Sequence, residues 1–116
     1  MIGNPSSLSD ARVKDNVTPL DPSNCLSFCN TLNPALYLQT QANEIRTGLI
    51  AQDVQSALQA HNLPETPVID TKRGRVDEDS PLEQLMAMRY ERLVPMLLGA
   101  VKELTTRITQ LESQVT

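Results

Sequence analysis

The strongest hydrophobic pattern of the chain lies between residues 91 and 116. Apolar side chains recur there at alternating intervals of four and three residues, as at the a and d positions of a coiled coil. These positions, called the heptad seam below, are Leu97, Val101, Leu104, Ile108, Leu111 and Val115. The pattern predicts a long C-terminal helix whose stripe packs either on its own domain or against copies of the chain. Beyond about residue 100 we favour copies, because a domain this small cannot cover the whole stripe.

The residues at the two seam positions differ in shape. Val101, Ile108 and Val115 share one position and are β-branched, whereas leucine fills the other. In simple parallel coils this arrangement leans towards dimers, although neighbouring domains often decide the number of helices.

The preceding residues predict short helices and strands in mixed order. Asp21 followed by Pro22 is typical of a helix start, and Asn33-Pro34 ends that helix. Strands are expected at 35–39, 45–51, 67–70 and 82–90, and a second helix from about Gln52 to His61. Gly48, inside the second strand, indicates a bulge or a close backbone approach. The predicted class is α+β: a small mixed domain followed by the long helix.

We divide the chain accordingly. Residues 1–8 form a leader or a remnant of an upstream stalk, residues 9–90 the globular domain, and residues 91–116 the coiled-coil helix. The mixed-sign segment at 71–81 is predicted to be a solvated turn between two strands.

Composition supports burial between subunits and excludes some functions. Apolar residues make up 40% of the 116, yet the aromatic residues are only Phe28, Tyr37 and Tyr90, so aliphatic side chains must build the core. The net charge is −4 and basic residues are interspersed with acidic ones, which argues against a nucleic-acid partner. No apolar run is long enough for a membrane span, and the first residues do not resemble a secretory signal.

The cysteines and the histidine do not indicate a metal or a cofactor. Cys25 and Cys29 are four residues apart and would share one helix face, which suits two small buried groups. A metal would need two further soft ligands, and His61 is the only histidine. At the end of a helical face, His61 is expected to be a helix-terminus residue and not a catalytic one.

The polar segment at residues 9–14 reads SDARVK and would ordinarily be a solvated charged turn. Asn16 and Val17 follow it. Two further stretches lie downstream in the chain: GLIAQDV at residues 48–54, and YERLVP at 90–95 continued by AVKEL at 100–104. These three stretches, in this order, resemble the C-terminal intramolecular chaperone, or auto-processing, domain of phage tail spikes and tail fibres of the endosialidase type.

The resemblance implies a specific activity. Such domains form homotrimers, hold three chains in register while the upstream stalk folds, and then cut themselves off. The cut falls before the motif's serine, so the scissile bond here would be Leu8–Ser9. Ser9 would be the nucleophile and Lys14 the base or proton shuttle, with Asp10 and Arg12 completing the motif. The expected location is the host cytoplasm during virion assembly, attached to or released from a phage tail protein.

The residues themselves are compatible with this chemistry. A serine needs a neighbouring base, and a neutral lysine can serve where burial or nearby positive charge lowers its pKa. Arg12 could supply part of that charge, although Asp10 and Asp15 would oppose it. A spacing of five places Ser9 and Lys14 apart on a strand or a helix, so the site requires a bend between them or a partner chain.

Two other interpretations stay open. The chain could be a non-catalytic trimerisation module that remains at a fibre end. It could also be the same auto-processing module in a cellular membrane-tethered transcription factor, which would use the cut for release.

Overall fold

The computed structural model describes residues 8–70 and 85–115. In chain order its regular elements are helix α1 (Pro22–Asn30), strands β1 (Ala35–Gln39) and β2 (Glu44–Gly48), helix α2 (Ala51–Ala60), strands β3 (Ile69–Asp70) and β4 (Ala87–Met88), and helix α3 (Val94–Val115). Short 3-10 turns occupy Ala11–Val13 and Tyr90–Leu93. The predicted α+β class with a long C-terminal helix is confirmed.

Helix α1 begins as its sequence predicts. The carboxylate of Asp21 accepts a hydrogen bond from the backbone N–H of Ser23 at 3.1 Å, and Pro22 stands in the first turn. The helix buries Cys25, Leu26 and Phe28 and packs against α3. Phe28 is fully buried and is the largest side chain of the core.

Gly99 allows α1 and α3 to approach closely. A Cβ atom at this position would lie 2.6 Å from the Sγ atom and 2.9 Å from the Cβ atom of Cys25. Cys25 is itself completely buried, so its side chain has no free space into which it can move. Glycine is therefore required here by packing, since φ is not in the left-handed region.

We expect Gly99→Ala to lower the free energy of unfolding by up to about 2 kcal/mol. Overpacking a closed core costs about 1–3 kcal/mol, whereas alanine gains about 1 kcal/mol over glycine inside a helix. Urea unfolding at fixed chain concentration measures the difference. In a Cys25→Ala background the same substitution should cost less, because the Sγ atom is gone. An equal cost in both backgrounds would contradict this packing account.

Strand β2 ends earlier than predicted. β1 and β2 form an antiparallel hairpin in which Leu38 pairs with Ile45 and Ala35 with Gly48. The expected continuation through Leu49 does not form, because the hydroxyl of Tyr90 binds that residue's backbone. It accepts from the Leu49 N–H at 2.9 Å and donates to the Leu49 carbonyl at 3.4 Å.

The same hydroxyl explains Gly48. A Cβ on Gly48 would lie 2.6 Å from the Tyr90 hydroxyl and 3.1 Å from that of Tyr37. The close approach that the sequence indicated is therefore made by two tyrosine side chains.

Helix α2 buries Val54, Ala57 and Leu58, as the helical spacing predicted. His61 caps its C-terminus, with Nδ1 2.8 Å from the carbonyl oxygen of Ala57. The imidazole also meets the ring of Phe28 edge to face at 5.9 Å. His61 is thus a helix-terminus residue packed on the core.

Strands β3 and β4 are shorter than predicted. The backbone N–H groups of Val68 and Ile69 both bind the carbonyl of Glu65, so residues 65–68 form a turn. Strands β3 and β4 pair with each other, and an ion pair of 2.8 Å between Arg89 and Asp70 lies beside them. The start of the predicted 82–90 strand and the predicted charged turn at 71–81 lie outside the described residues.

Helix α3 begins after the Tyr90–Leu93 turn, with Pro95 in its first turn, where a missing N–H is tolerated. Its first part buries Met96 and Ala100 against the domain. Beyond Ala100, Glu103 is half-buried and every other described side chain is exposed. Among the described residues, no helix combines the length and apolar character that crossing a membrane requires.

Candidate functional site

The first candidate site is the turn at residues 9–14. Asp10 caps the short 3-10 turn by accepting a hydrogen bond from the backbone N–H of Arg12 at 2.8 Å. Two backbone bonds follow, from the Val13 N–H to the Asp10 carbonyl at 3.1 Å and from the Lys14 N–H to the Ala11 carbonyl at 3.2 Å. Aspartate is suited to this cap because its short carboxylate reaches a backbone N–H two residues ahead.

The turn brings Ser9 and Lys14 together. The Nζ atom of Lys14 donates a hydrogen bond of 2.8 Å to the Oγ atom of Ser9. The turn thus supplies the bend that the five-residue spacing required for any chemistry between the two side chains. A hydroxyl and an amine at this distance can exchange a proton when the amine is neutral.

Arg12 is directed at Asp10 and away from this pair. Its Nε and Nη2 atoms lie 3.0 and 2.8 Å from the two carboxylate oxygens. The side-chain hydrogen bonds lower the pKa of Asp10 and raise the pKa of Arg12 from their ordinary values. The expected contribution of positive charge from Arg12 to Lys14 is therefore largely offset by Asp10. Arg12 instead pairs with the residue that caps the turn.

The segment is open to solvent. Every residue from 8 to 20 is exposed, and Leu8, on the other side of the predicted scissile bond, is 79% exposed. Among the described residues, none forms a wall that would exclude water from a reacting serine and lysine in this position.

The second candidate site is a surface on α3. All six residues of the heptad seam are exposed, from 46% for Leu104 to 86% for Val115. Val94 is 49% exposed and continues the same spacing by one further position. The sequence analysis missed Val94, although its interval of three before Leu97 was readable.

An apolar cavity of about 500 Å³ opens at the N-terminal end of the seam. We call it the seam pocket. It lies between α1, the end of β2 and the start of α3, and its apolar walls include Phe28, Leu32, Pro34, Leu49, Leu93 and Leu97. The sequence analysis did not find it, because its walls come from segments far apart in the chain.

The two cysteines are structural. Burial raises the pKa of Cys25 and that of Cys29 above the ordinary thiol value, which disfavours the reactive thiolate. The Cys29 thiol faces the carbonyl oxygen of Met96 at 3.8 Å. Within residues 8–70 and 85–115, no group of histidine, cysteine and acidic side chains could hold a metal ion.

Comparison with known proteins shows which family part of the chain resembles. The family model described as "Chaperone of endosialidase" matches residues 9–63, slightly less than half of the chain. The family resemblance stated from the three sequence stretches is thereby confirmed. The match begins at Ser9, the first residue after the predicted scissile bond.

The particular relatives are tail fibre proteins. The chain is 30% identical over 112 residues to the long tail fiber protein Gp37 of Enterobacteria phage K3 and to that of Enterobacteria phage T2. In each case the alignment covers 92% of this chain. The chain spans only 8% and 7% of the length of these relatives.

Proposed function

We propose that the chain is the intramolecular chaperone of a phage tail fibre. In this proposal it assembles as a homotrimer in the host cytoplasm, holds three copies of an upstream stalk in register, and releases itself by cutting the Leu8–Ser9 bond. The family match and the tail fibre relatives support the chaperone role. The observation that carries the cut is the hydrogen bond of 2.8 Å between Lys14 and Ser9.

The exposed seam supports the assembly. Beyond residue 100 helix α3 presents its apolar stripe to solvent, and such a helix buries that stripe by packing on helices of the same pattern. Three parallel helices in register would place the three globular domains at the same height along the axis. The stalk chains joined to those domains would then begin to pair at equivalent residues, which shortens the search for register.

The cut would proceed in two steps, acyl transfer to Ser9 and then hydrolysis. Lys14, as a neutral amine, accepts the hydroxyl proton of Ser9 while Oγ attacks the Leu8 carbonyl carbon. The new C–O bond forms, the C–N bond of the peptide breaks, and Lys14 returns the proton to the departing Ser9 amine. Water then hydrolyses the resulting ester, which leaves a Leu8 carboxylate and restores the Ser9 hydroxyl.

Assembly would complete the site. A lysine acts as a base only in its neutral form, which burial favours and bulk water opposes. Ser9 and Lys14 are both exposed in the single chain. We therefore propose that a neighbouring subunit covers the turn at residues 9–14 in the trimer, so that cutting reports completed assembly.

The test uses residues 1–116 and, in parallel, the same residues joined to the upstream stalk. Mass spectrometry distinguishes residues 1–116 from the cut product 9–116, and light scattering gives the number of copies. The proposal expects a trimer and a product that starts at Ser9. An uncut trimer in both proteins would reject the cut. It would favour the interpretation of the chain as a trimerisation module that remains attached to the fibre. A monomer at micromolar concentration would reject the chaperone role.

A further inference from the structure

One exposed apolar residue of α3 has no place in the heptad seam. Leu98 is 60% exposed and lies beside the seam, next to Leu97 in the sequence. The seam pocket, in contrast, is an apolar cavity of about 500 Å³ without a described occupant, and Leu97 forms part of its wall. An exposed leucine and an apolar cavity thus lie at the same end of the same helix.

The heptad register relates these two features between copies. With Val94 and Val101 at position a and Leu97 at position d, Leu98 falls at position e. Leu93, the last residue of the 3-10 turn, stands directly before Val94 and takes the place of a g residue. In parallel coils the e and g residues flank the seam and meet those of the adjacent helix. A g residue lies beside the neighbouring e residue five positions later, so Leu93 of one copy lies beside Leu98 of the next. Leu93 is a wall residue of the seam pocket.

Leu98 cannot fill the pocket of its own chain. The residues that α3 buries in its domain are Met96 and Ala100, and Leu98, two residues from each, points away from them at 100° per residue. Leu97 lies between the two directions, on the pocket wall. The pocket and Leu98 therefore lie on opposite flanks of the seam.

We infer that Leu98 of each subunit inserts into the seam pocket of its neighbour. The occupant is a second copy of this chain, and the inference rests on the proposed parallel assembly. The contact joins two different surfaces, the pocket of one subunit and the helix flank of the next, so under the rotational symmetry of a parallel coil it repeats around a closed ring. It also adds a contact outside the seam that can help to set the number of subunits. The β-branched and leucine positions of the seam alone would favour dimers.

The chain offers a direct test, because Cys29 is a native thiol in the pocket wall. We would introduce Leu98→Cys in the whole chain and treat the assembled protein with a short bismaleimide at alkaline pH, because burial raises the pKa of Cys29 and the thiolate is the reacting form. If Leu98 occupies the neighbouring pocket, the new thiol is joined to Cys29 of the adjacent copy. Denaturing gels should then show covalent dimers and trimers.

Two controls define specificity. Adding Cys29→Ser should abolish the covalent species. Thr105→Cys places a thiol at the next e position, about 10 Å further along the helix, and should give much less product. The inference is overturned if light scattering shows a trimer but Leu98→Cys yields no covalent species, or if either control cross-links equally well. If the protein is monomeric, the proposed assembly fails first and the inference fails with it, so the two failures are distinguishable.

Discussion

Ser9→Ala should leave the chain at full length while the wild type is converted to residues 9–116. The substitution removes the hydroxyl that is proposed to attack the Leu8 carbonyl, and the turn at residues 9–14 contains no other hydroxyl group. Ser9 is exposed and its hydroxyl has one described partner, Lys14, so folding should not change. Intact mass over a time course measures the effect, and the variant should remain a trimer by light scattering.

Lys14→Arg is the matched test of the base. Arginine retains the positive charge and can donate a hydrogen bond to Ser9, but it does not lose its proton in proteins. We therefore expect cutting to slow by about 100-fold or more, the usual contribution of a general base. Wild-type rates in Lys14→Arg would show that Lys14 only positions Ser9. Cutting in Ser9→Ala would exclude Ser9 as the nucleophile.

Ile108→Asp should convert the proposed trimer to a monomer at micromolar concentration. Ile108 is 55% exposed in the single chain and sits in the middle of the heptad seam. In the trimer three carboxylates would be buried side by side, and removing a charge from water without a partner costs several kcal/mol. Sedimentation or light scattering across a dilution series measures the association constant, which should fall by more than about 100-fold.

Thr106→Asp is the matched control for this variant. It adds the same charge to the same exposed part of α3, but at a position outside the seam. It should remain a trimer, and equal dissociation of both variants would show that added charge alone breaks the assembly. The globular domain should stay folded in Ile108→Asp, because α3 buries only Met96 and Ala100 in it. If assembly completes the cleavage site, Ile108→Asp should also cut more slowly.

Several elements were predictable because their determinants are local. The start of α1 depends on Asp21 and Pro22, and α2 on the spacing of Val54, Ala57 and Leu58, all of which act within a few residues. The bend between Ser9 and Lys14 was required by their spacing. The cap that forms it, Asp10 on the N–H of Arg12, is also a local contact, although the sequence analysis did not identify it.

One feature depended on a residue distant in the chain. β2 stops at Gly48 because Tyr90, 41 residues beyond Leu49, binds the backbone there. Two other differences have local causes that the sequence analysis did not identify. The turn at residues 65–68 shortens β3 through hydrogen bonds from the Val68 and Ile69 N–H groups to the Glu65 carbonyl. Arg12 was expected to contribute charge to Lys14, but its ion pair with Asp10 largely offsets that charge.

For this protein the sequence alone determined the helix starts, the heptad seam, the family resemblance and the Ser9–Lys14 pair, because each depends on residue order and on periodicity along one segment. Only the tertiary structure decided which apolar surfaces stay uncovered. The seam pocket arises where α1, β2 and α3 meet, and the exposure of Leu98 follows from the face that α3 turns towards its domain. Such surfaces depend on the packing of distant segments, which periodicity within a single segment does not specify.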